Sequence, residues 1–185
     1  DATTLLRFRR LLETHNLTRQ IFSFVNYQLA TQGLYLKEGT VVDATIISAP
    51  PSIKNESKSR DPEMRHAKKG NQYYFGMKAH IGVDAASGLV HTMVTTPANA
   101  HDVTQAHALL HGEEQEVYGD SGYQGVEKRE ENKGKKVDWV IAMRHGKRRK
   151  LRESGTEEGR LVDKIEQLKS QIRAKVEHPF YWVKV

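Results

Sequence analysis

The segment from Thr40 to Ser48 reads TVVDATIIS, and almost all of its residues are β-branched or apolar. A run of this kind is typical of a strand that is buried on both faces of a sheet, and Pro50 and Pro51 end it. Asp43 interrupts the pattern, because an ionised carboxylate in a buried strand costs several kcal/mol unless it is paired or binds a metal ion. A carboxylate near a strand end, hydrogen-bonded to a loop, is an equally good interpretation of this strand alone.

The segments on either side of this strand indicate a mixed α/β fold. Met77 to Asp84 alternates apolar and polar residues and Leu89 to Thr95 returns after a turn, which predicts an antiparallel hairpin. The sequence also predicts a short helix from Asp102 and strands over Glu116 to Asp120 and Val137 to Met143. A final helix is predicted over Glu157 to His178, and Pro179 ends it. The apolar stripe of this helix consists of Leu161, Ile165, Leu168, Ile172 and Val176. We interpret the polar stretches 52–72 and 144–156 as loops. The pattern predicts a partly parallel sheet that is flanked by helices.

Residues 1–36 form a separate helical segment in this interpretation. Leu5, Leu6, Phe8, Leu11 and Leu12 recur at spacings of three and four, and a second apolar run follows and ends near Gly33. We expect an amphipathic pair of helices that packs on a neighbour, since no motif that reads DNA bases is visible here.

The composition narrows the class of protein. The chain has 185 residues, which suits one domain or one domain with an appendage, and no apolar run is long enough to form a transmembrane helix. The absence of cysteine excludes disulfides and thiolate zinc sites, and a reducing, intracellular setting is expected. Lys and Arg total 29 against 23 for Asp and Glu, a net charge of +6 that favours a polyanionic partner such as nucleic acid.

Two further carboxylates join Asp43 as candidate site residues. Asp120 ends the strand EVYGD before a glycine-containing turn, a common site position in α/β sheets, although Asp before Ser-Gly is also ordinary turn chemistry. Glu177 lies one helical turn after Arg173, where a solvated ion pair is the ordinary interpretation. Three oxygen ligands would suit Mg²⁺ or Mn²⁺, and two such ions roughly 3.5–4 Å apart can hold a phosphodiester in line.

Basic and histidine residues supply the other candidates. A basic run at 147–152, with Lys147, Arg148, Arg149, Lys150 and Arg152, is interpreted as a loop that contacts DNA phosphates, with a merely solvated loop as the alternative. His107 and His111 would share a helix face at a spacing compatible with zinc. Because no third ligand is evident nearby, we interpret them as surface or packing residues.

Several blocks of the sequence, taken together and in order, resemble a known family. They are VVDATIISAPPSIKN (41–55), YYFGMKAHIGVDAASGLVHTMVTTPANAHD (73–102), VYGDSGYQG (117–125) and IRAKVEHPF (172–180). These blocks resemble the DDE transposases of bacterial insertion sequences, whose catalytic core has a ribonuclease H-like fold. The family usually has Tyr three residues before the Arg of the last block, where this chain has Ser170.

The resemblance implies a fold, a site and a set of partners. Residues 37–185 would form the catalytic core, and 1–36 would be the remnant of a DNA-binding region in a chain trimmed at both ends. Asp43, Asp120 and Glu177 would be the metal-binding triad for two Mg²⁺ or Mn²⁺ ions, and Arg173 and Lys184 would help to position DNA. The implied partners are terminal inverted-repeat DNA, target DNA and a second copy in a homodimer, in the cytoplasm of a bacterium and associated with its nucleoid, with no membrane involved.

Two alternatives to a transposase stay open on the sequence alone. The same carboxylates would serve a ribonuclease H-like nuclease or resolvase that cuts without joining strands. The basic run would also serve an inactive remnant that binds DNA without cutting it.

Overall fold

The computed structural model describes residues 1–35, 38–54 and 58–184, with side chains as far as Trp182. By its internal contacts the chain forms two compact units, Asp1–Leu36 and Lys37–Val185, which are described separately below.

The first unit contains the two predicted helices, α1 (Ala2–Thr14) and α2 (Leu17–Thr31). The side chain of Asp1 accepts a hydrogen bond of 2.9 Å from the backbone N–H of Thr4 and so caps α1. Gly33, with φ of +69°, ends α2 as predicted. The N–H groups of Gly33 and Leu34 turn back to the carbonyls of Ala30 and Leu29, the bonding pattern of a glycine-terminated helix. Many apolar residues of both helices are exposed, among them Leu5, Leu6, Phe8 and Phe24, and neither helix contains a fully buried residue.

The second unit is built on one mixed sheet. Its strands are β1 (Gly39–Ser48), β2 (Arg65–Lys69), β3 (Gln72–Asp84), β4 (Val90–Pro97), β5 (Glu116–Gly119) and β6 (Asp138–Ile141). The order is β2-β3-β1-β5-β6, and β4 also pairs with β3. The pairs β1–β3, β2–β3 and β3–β4 are antiparallel, whereas β1–β5 and β5–β6 are parallel. This confirms the predicted mixed sheet with its hairpin, and the arrangement fits a ribonuclease H-like fold.

Helical segments flank the sheet. Between β4 and β6 the chain forms a series of short 3-10 turns, which include Ala106–Leu109, Ser121–Tyr123 and Val126–Lys128. After β6 come α3 (His145–Glu153), α4 (Glu157–Arg173), a 3-10 turn over Ala174–Val176, and α5 (Glu177–Lys184).

The sheet buries a core on each of its faces, and β1 contributes to both. Val41 and Val42 are adjacent and fully buried, but successive residues of a strand point to opposite faces. One cluster contains Val41, Ile81, Val83, Val176 and Phe180. The other contains Val42, Ala106, Leu109, Val117, Tyr123 and Val126. The 3-10 turns therefore cover one face and the C-terminal helical segment covers the other.

Burial does not extend to the end of β1, although Thr45 is still buried. Ile47, near the end of the strand, is 42% exposed, so the prediction of a fully buried strand was wrong there. The predicted loop over 52–72 was also wrong in part, because it contains β2. Four of the five residues of β2 are exposed. A polar edge strand of this kind lacks the apolar alternation by which strands are recognised.

The C-terminal third differs from the prediction in three ways. The basic stretch 144–156 is not a loop throughout, because α3 occupies most of it. Pro179 does not end a helix but lies in the first turn of α5, where backbone N–H groups lack intrahelical acceptors. The predicted stripe of α4 faces outward at Leu161, Ile165 and Leu168, each more than half exposed, and the stripe is buried only at its end, at Val176.

Polar contacts explain why α4 turns its apolar stripe outward. Glu166 is buried, and its Oε2 accepts a hydrogen bond of 2.7 Å from the N–H of Met143. Lys169 Nζ lies 2.8 Å from Glu166 Oε1 and also donates to the carbonyl of Ile141 at 3.2 Å. Because these bonds attach the helix to the end of β6 and to the segment after it, the opposite side of α4 is left to solvent.

A buried polar cluster lies where β1 begins. Thr40 is fully buried, and its Oγ1 donates to Glu114 Oε1 at 3.3 Å and lies 3.1 Å from His91 Nε2. The pKa of His91 falls to about 4, first because burial disfavours the charged ring and then because His111 lies beside it, although the carboxylates of Glu114 and Asp84 act in the opposite direction. His91 is therefore neutral in the folded protein near pH 7.

This depressed pKa predicts a loss of stability in acid. Between about pH 6.5 and pH 4 the unfolded chain binds a proton at His91 that the folded chain does not, so the free energy of unfolding falls as the pH is lowered through that window, by up to about 3 kcal/mol. We expect His91→Gln to lose less stability than the wild type between pH 7 and pH 4.5 in urea unfolding. His145→Gln, a change at an exposed histidine, is the control, and an equal acid loss in His91→Gln would contradict this account.

Candidate functional site

The parallel pairing of β1 and β5 brings two of the predicted acids together. Gly39, Thr40 and Val41 pair with Glu116, Val117 and Tyr118. Continuing this register by two residues places Asp43 beside Asp120, on neighbouring strands that lie about 4.8 Å apart. Asp120 directly follows the carboxyl end of β5, the edge at which sheets of this class form their sites.

The third acid, Glu177, is positioned by its two buried neighbours. Val176 and Phe180 are 1% and 4% exposed and pack in the same cluster as Val41. Asp43 lies two residues after Val41 and therefore on the same face of β1. Lys175 attaches this part of the helix to the β3–β4 turn, because its Nζ donates to the carbonyls of Ala85 at 2.5 Å and Ala86 at 2.9 Å.

Asp43, Asp120 and Glu177 line one cavity of about 380 Å³. The other charged side chains of its described lining are Lys68, Lys69, Lys78, Asp102 and Arg173. Lys78 and Asp102 neutralise each other, since Lys78 Nζ lies 2.7 Å from Asp102 Oδ1. The three predicted acids thus share the cavity with Arg173 and with two lysines of β2.

Asp43 experiences a strong electrostatic penalty in this cavity. Its pKa is raised to about 6, first by burial and then by the charges of Asp120 and Glu177, while Arg173 acts in the opposite direction. The Oδ1 atom accepts a hydrogen bond of 2.7 Å from the N–H of Ala44, which favours the ionised form. A bound cation would relieve the remaining penalty.

Asp120 both stabilises the turn that follows β5 and lines the cavity. Its Oδ1 accepts a hydrogen bond of 2.7 Å from the N–H of Gly122. A Cβ atom at position 122 would lie 2.8 Å from that oxygen, so a glycine is needed for this close approach. Gly122 therefore helps to orient the carboxylate of Asp120.

Arg173 does not form the ordinary ion pair that its spacing from Glu177 allows. Within the described part of the chain, no contact of 4 Å or less joins their charged groups. Its buried Nε has no hydrogen-bond partner among the described residues. The guanidinium borders the cavity instead and lowers the pKa of Asp43.

The basic run at 147–152 lies on α3, and none of its residues is among the described lining of the cavity. Arg148 and Arg152 both direct their Nε to Asp163 Oδ1, at 2.6 Å and 2.8 Å. Arg149 Nε lies 3.5 Å from Glu153 Oε1. Contact of Lys147, Arg148, Arg149, Lys150 and Arg152 with DNA stays a prediction, and the side chain of Lys184 lies outside the described residues.

Sequence reasoning missed several residues at this site. Lys68 and Lys69 lie on β2, whose sequence signal was the dipeptide Gly70-Asn71 between two runs, a spacing typical of a hairpin. The fully buried Tyr123 has a hydroxyl without a partner in the described part of the chain. Burial, followed by the charges of Asp43 and other carboxylates, raises the pKa of Tyr123 far above its usual range, which keeps it a neutral donor.

The site fits hard cations by the chemistry of its donors. Among the described residues, no three His, Asp or Glu side chains are placed so that they could hold one metal ion together. Mg²⁺ usually takes only one or two carboxylates and completes its octahedron with water and substrate phosphates, and the cavity has room for such ligands. The oxygen-only donors around Asp43 match that mode.

The two histidines with zinc-compatible spacing do not share a helix. The 3-10 turn Ala106–Leu109 ends before His111. His107 Nδ1 lies 3.1 Å from the carbonyl of Thr104, and the ring of His111 packs edge-on against His91. The prediction of one helical face for His107 and His111 was therefore wrong.

Comparison with known proteins adds a family assignment. The family model described as "Transposase DDE domain" matches residues 35–185, the part of the chain that carries the four resembling blocks. No solved structure matches the chain. Among the described helices, none is both long enough and apolar enough to cross a bilayer.

The penalty at Asp43 predicts that its removal stabilises the protein. In chelator at pH 8, we expect Asp43→Asn to raise the free energy of unfolding by about 1–3 kcal/mol, because the amide keeps an oxygen for the N–H of Ala44 and removes a buried charge that two other carboxylates also repel. Urea unfolding measures this, with the exposed Asp138→Asn as the matched control. An Asp43→Asn variant no more stable than the control would show that burial and the neighbouring carboxylates impose no penalty on the charge of Asp43.

Proposed function

Because this chain belongs to the transposase DDE domain family, we propose that it cuts DNA at the ends of an insertion element and joins the freed strand to target DNA. The family acts on DNA and depends on divalent metal ions, and the fold is ribonuclease H-like. In this proposal Asp43, Asp120 and Glu177 are the catalytic carboxylates.

The observation that supports this function best is the meeting of three acids from three distant segments. Asp43 comes from β1, Asp120 follows β5 and Glu177 begins α5, yet all three line one cavity with Arg173. Burial, and then the charges of Asp120 and Glu177, raise the pKa of Asp43, so that keeping its carboxylate ionised is costly to the fold. A site that binds cations and phosphate gives a physical reason for retaining them.

The chain's own residues have distinct tasks in the proposed reaction. Asp43, Asp120 and Glu177 would hold two Mg²⁺ ions, or Mn²⁺, and such ions supply positive charge to the oxygens that attack and leave phosphorus. Arg173, with its planar guanidinium beside Asp43, would bind the non-bridging oxygens of the same phosphate. The carboxylates and Arg173 thereby hold the phosphate for in-line attack, which lowers the entropic part of the barrier.

Two chemically balanced steps follow from this arrangement. In the first, a water oxygen bonds to phosphorus and the 3′ oxygen leaves and takes up a proton, giving a 5′ phosphate and a 3′ hydroxyl. In the second, the oxygen of that 3′ hydroxyl bonds to the phosphorus of a target phosphodiester, the bond from that phosphorus to the target's 3′ oxygen breaks, and the leaving 3′ oxygen takes up a proton in place of the one that the attacking hydroxyl gives up. Both steps place their developing charge on oxygens of one phosphate, which the same set of residues can stabilise.

The proposal extends to partners that the site itself does not identify. The substrates would be terminal inverted-repeat DNA and target DNA, bound by a homodimer in the bacterial cytoplasm, at the nucleoid. The helical unit of residues 1–36 would belong to a DNA-binding region. Lys184 and the cations at 147–152 would contact other DNA phosphates.

The test is cleavage of DNA that carries the element's ends. The substrate is a supercoiled plasmid bearing the coding sequence together with its flanking genomic DNA, incubated with Mg²⁺ or Mn²⁺. We expect nicking at the flanks by the wild type, and losses of about 100-fold or more in Asp43→Asn, Asp120→Asn and Glu177→Gln. Asp138→Asn and Glu158→Gln, changes of exposed carboxylates outside the cavity lining, should keep full activity.

The outcomes separate the competing functions. Wild-type nicking by all three variants would overturn the assignment of the carboxylates. Cleavage of RNA–DNA hybrids or branched DNA, without cleavage of the flanks, would favour a nuclease or resolvase. Binding without any metal-dependent cleavage would indicate an inactive DNA-binding protein.

A further inference from the structure

The hairpin formed by β2 and the start of β3 has features that the fold does not require. Gly70 and Asn71 connect the strands, with Gly70 at a φ of +61°, and Lys68 and Lys69 pair with Tyr73 and Gln72. Ala67 is the one residue of β2 that is even partly buried. Because β2 buries almost no apolar surface, its contribution to the core does not explain the position of its lysines.

The lysines of this hairpin lie beside the acidic cavity. Ala67, Lys68 and Lys69 line the same cavity as Asp43 and the other two acids. In the described part of the chain, neither Lys68 nor Lys69 has a carboxylate within 4 Å. The ammonium of Lys68 lies 5.6 Å from the centre of the Tyr73 ring, a cation–π contact that orients the side chain without neutralising it.

Several other cations of this unit are already engaged in ion pairs or hydrogen bonds. Lys78 donates to Asp102 Oδ1 at 2.7 Å and to the carbonyl of Ala100 at 2.6 Å. On α3, Arg148 and Arg152 are both paired with Asp163. Of the described cations that line the cavity, Lys68, Lys69 and Arg173 therefore remain available for a polyanion, and the proposed reaction assigns Arg173 to the scissile phosphate.

We propose that the β2–β3 hairpin binds the DNA backbone next to the scissile phosphate, with Lys68 and Lys69 as the phosphate-binding side chains. Their place next to the scissile phosphate rests on the proposed function, whereas binding of DNA by these lysines does not. A cavity lined by carboxylates repels a phosphodiester, and two unpaired ammonium groups at its border offset that repulsion. Lysine binds phosphate as a point charge, which suits contact with the backbone of any sequence.

A second explanation for lysines on β2 is available from its position in the sheet. The strand lies at an edge, and charged residues at an edge discourage pairing with the sheets of other molecules. In that role the lysines only keep molecules from associating through their sheet edges. Removing their charge would then leave the DNA affinity unchanged. The two explanations are therefore separable by a binding measurement.

The first experiment measures DNA binding by the full chain without catalysis. The probe is a fluorescein-labelled duplex of about 30 base pairs and mixed sequence, titrated in chelator at several KCl concentrations and followed by anisotropy. We expect the Lys68→Gln/Lys69→Gln variant to lose about 10-fold or more in affinity near 0.1 M salt, and the slope of log affinity against log salt to become shallower by about 0.9 for each lost contact.

Control variants test whether the loss of DNA affinity depends on positive charge and on its position at Lys68 and Lys69. Arg65→Gln removes a cation at the other end of β2, where the guanidinium donates to the carbonyls of Pro62 and Met64, and it should bind nearly as the wild type does. Lys164→Gln removes an exposed cation from α4 and should do the same. Lys69→Arg keeps the charge and should retain affinity. Far-ultraviolet circular dichroism checks that each variant is folded.

The second experiment uses the absence of cysteine in this chain. In a Lys69→Cys variant the single thiol reacts with maleimide, and bound duplex should slow that reaction by about 5-fold or more. The thiol of Lys164→Cys should react at the same rate with and without DNA. Equal rates at position 69, or a doubly substituted variant with wild-type affinity and salt slope, would overturn the proposal and leave the edge-protecting role.

These results are independent of the catalytic test. If the lysine variants lose DNA affinity while the wild type shows no metal-dependent nicking, the proposed function fails and the hairpin is still a DNA-binding element. If nicking depends on Asp43 while the lysine variants bind DNA normally, the hairpin proposal fails alone.

Discussion

The parallel pairing of β1 with β5 is the contact on which the rest of the site depends. The register of these two strands sets Asp43 beside Asp120, and a slip of one residue would turn Asp43 to the other face of the sheet. Such a slip is costly, because Val41 and Val42 fill opposite cores and are both fully buried. The apolar residues before the carboxylate therefore determine where the carboxylate points.

The folded protein brings three acids together although their charges are unfavourable there. Three acids share one cavity, and burial together with mutual repulsion keeps the pKa of Asp43 near 6. Apolar packing offsets this cost, and Val176 and Phe180, which lie on either side of Glu177 in the chain, contribute to it. Stability given up at one place and recovered at another is a common property of functional sites.

Periodicity in the sequence was sufficient for the elements that carry a clear apolar pattern. β1, the β3–β4 hairpin and β5 follow from it, and Asp43 attracts notice as a charge within an apolar run. β2 could not be found in this way, because RHAKK has no apolar alternation and only the pairing with β3 makes it a strand. Its lysines were therefore absent from the predicted site, although Gly70-Asn71 marked the turn.

The helices show a different limit of sequence reasoning. The stripe of Leu161, Ile165 and Leu168 predicts the buried face of α4, but the buried Glu166 and its bond to Met143 decide the orientation of the helix instead. A tertiary hydrogen bond of this kind leaves no periodic trace in the sequence. The convergence of Glu177 with Asp43 likewise depends on packing between segments more than 130 residues apart, and in the sequence only the resemblance to a family indicated it.

Two of the acids lie on the sheet and one on a helix, and this division affects how the site responds to rising temperature. Asp43 and Asp120 belong to neighbouring strands held by a hydrogen-bonded ladder, whereas Glu177 is held by two apolar anchors and by the bonds of Lys175 to one turn. Segments with fewer attachments open at lower temperature than the sheet they cover. Warming would therefore release the C-terminal helix before the strands separate. Glu177 would then move away from Asp43 and Asp120 while most of the fold remained intact.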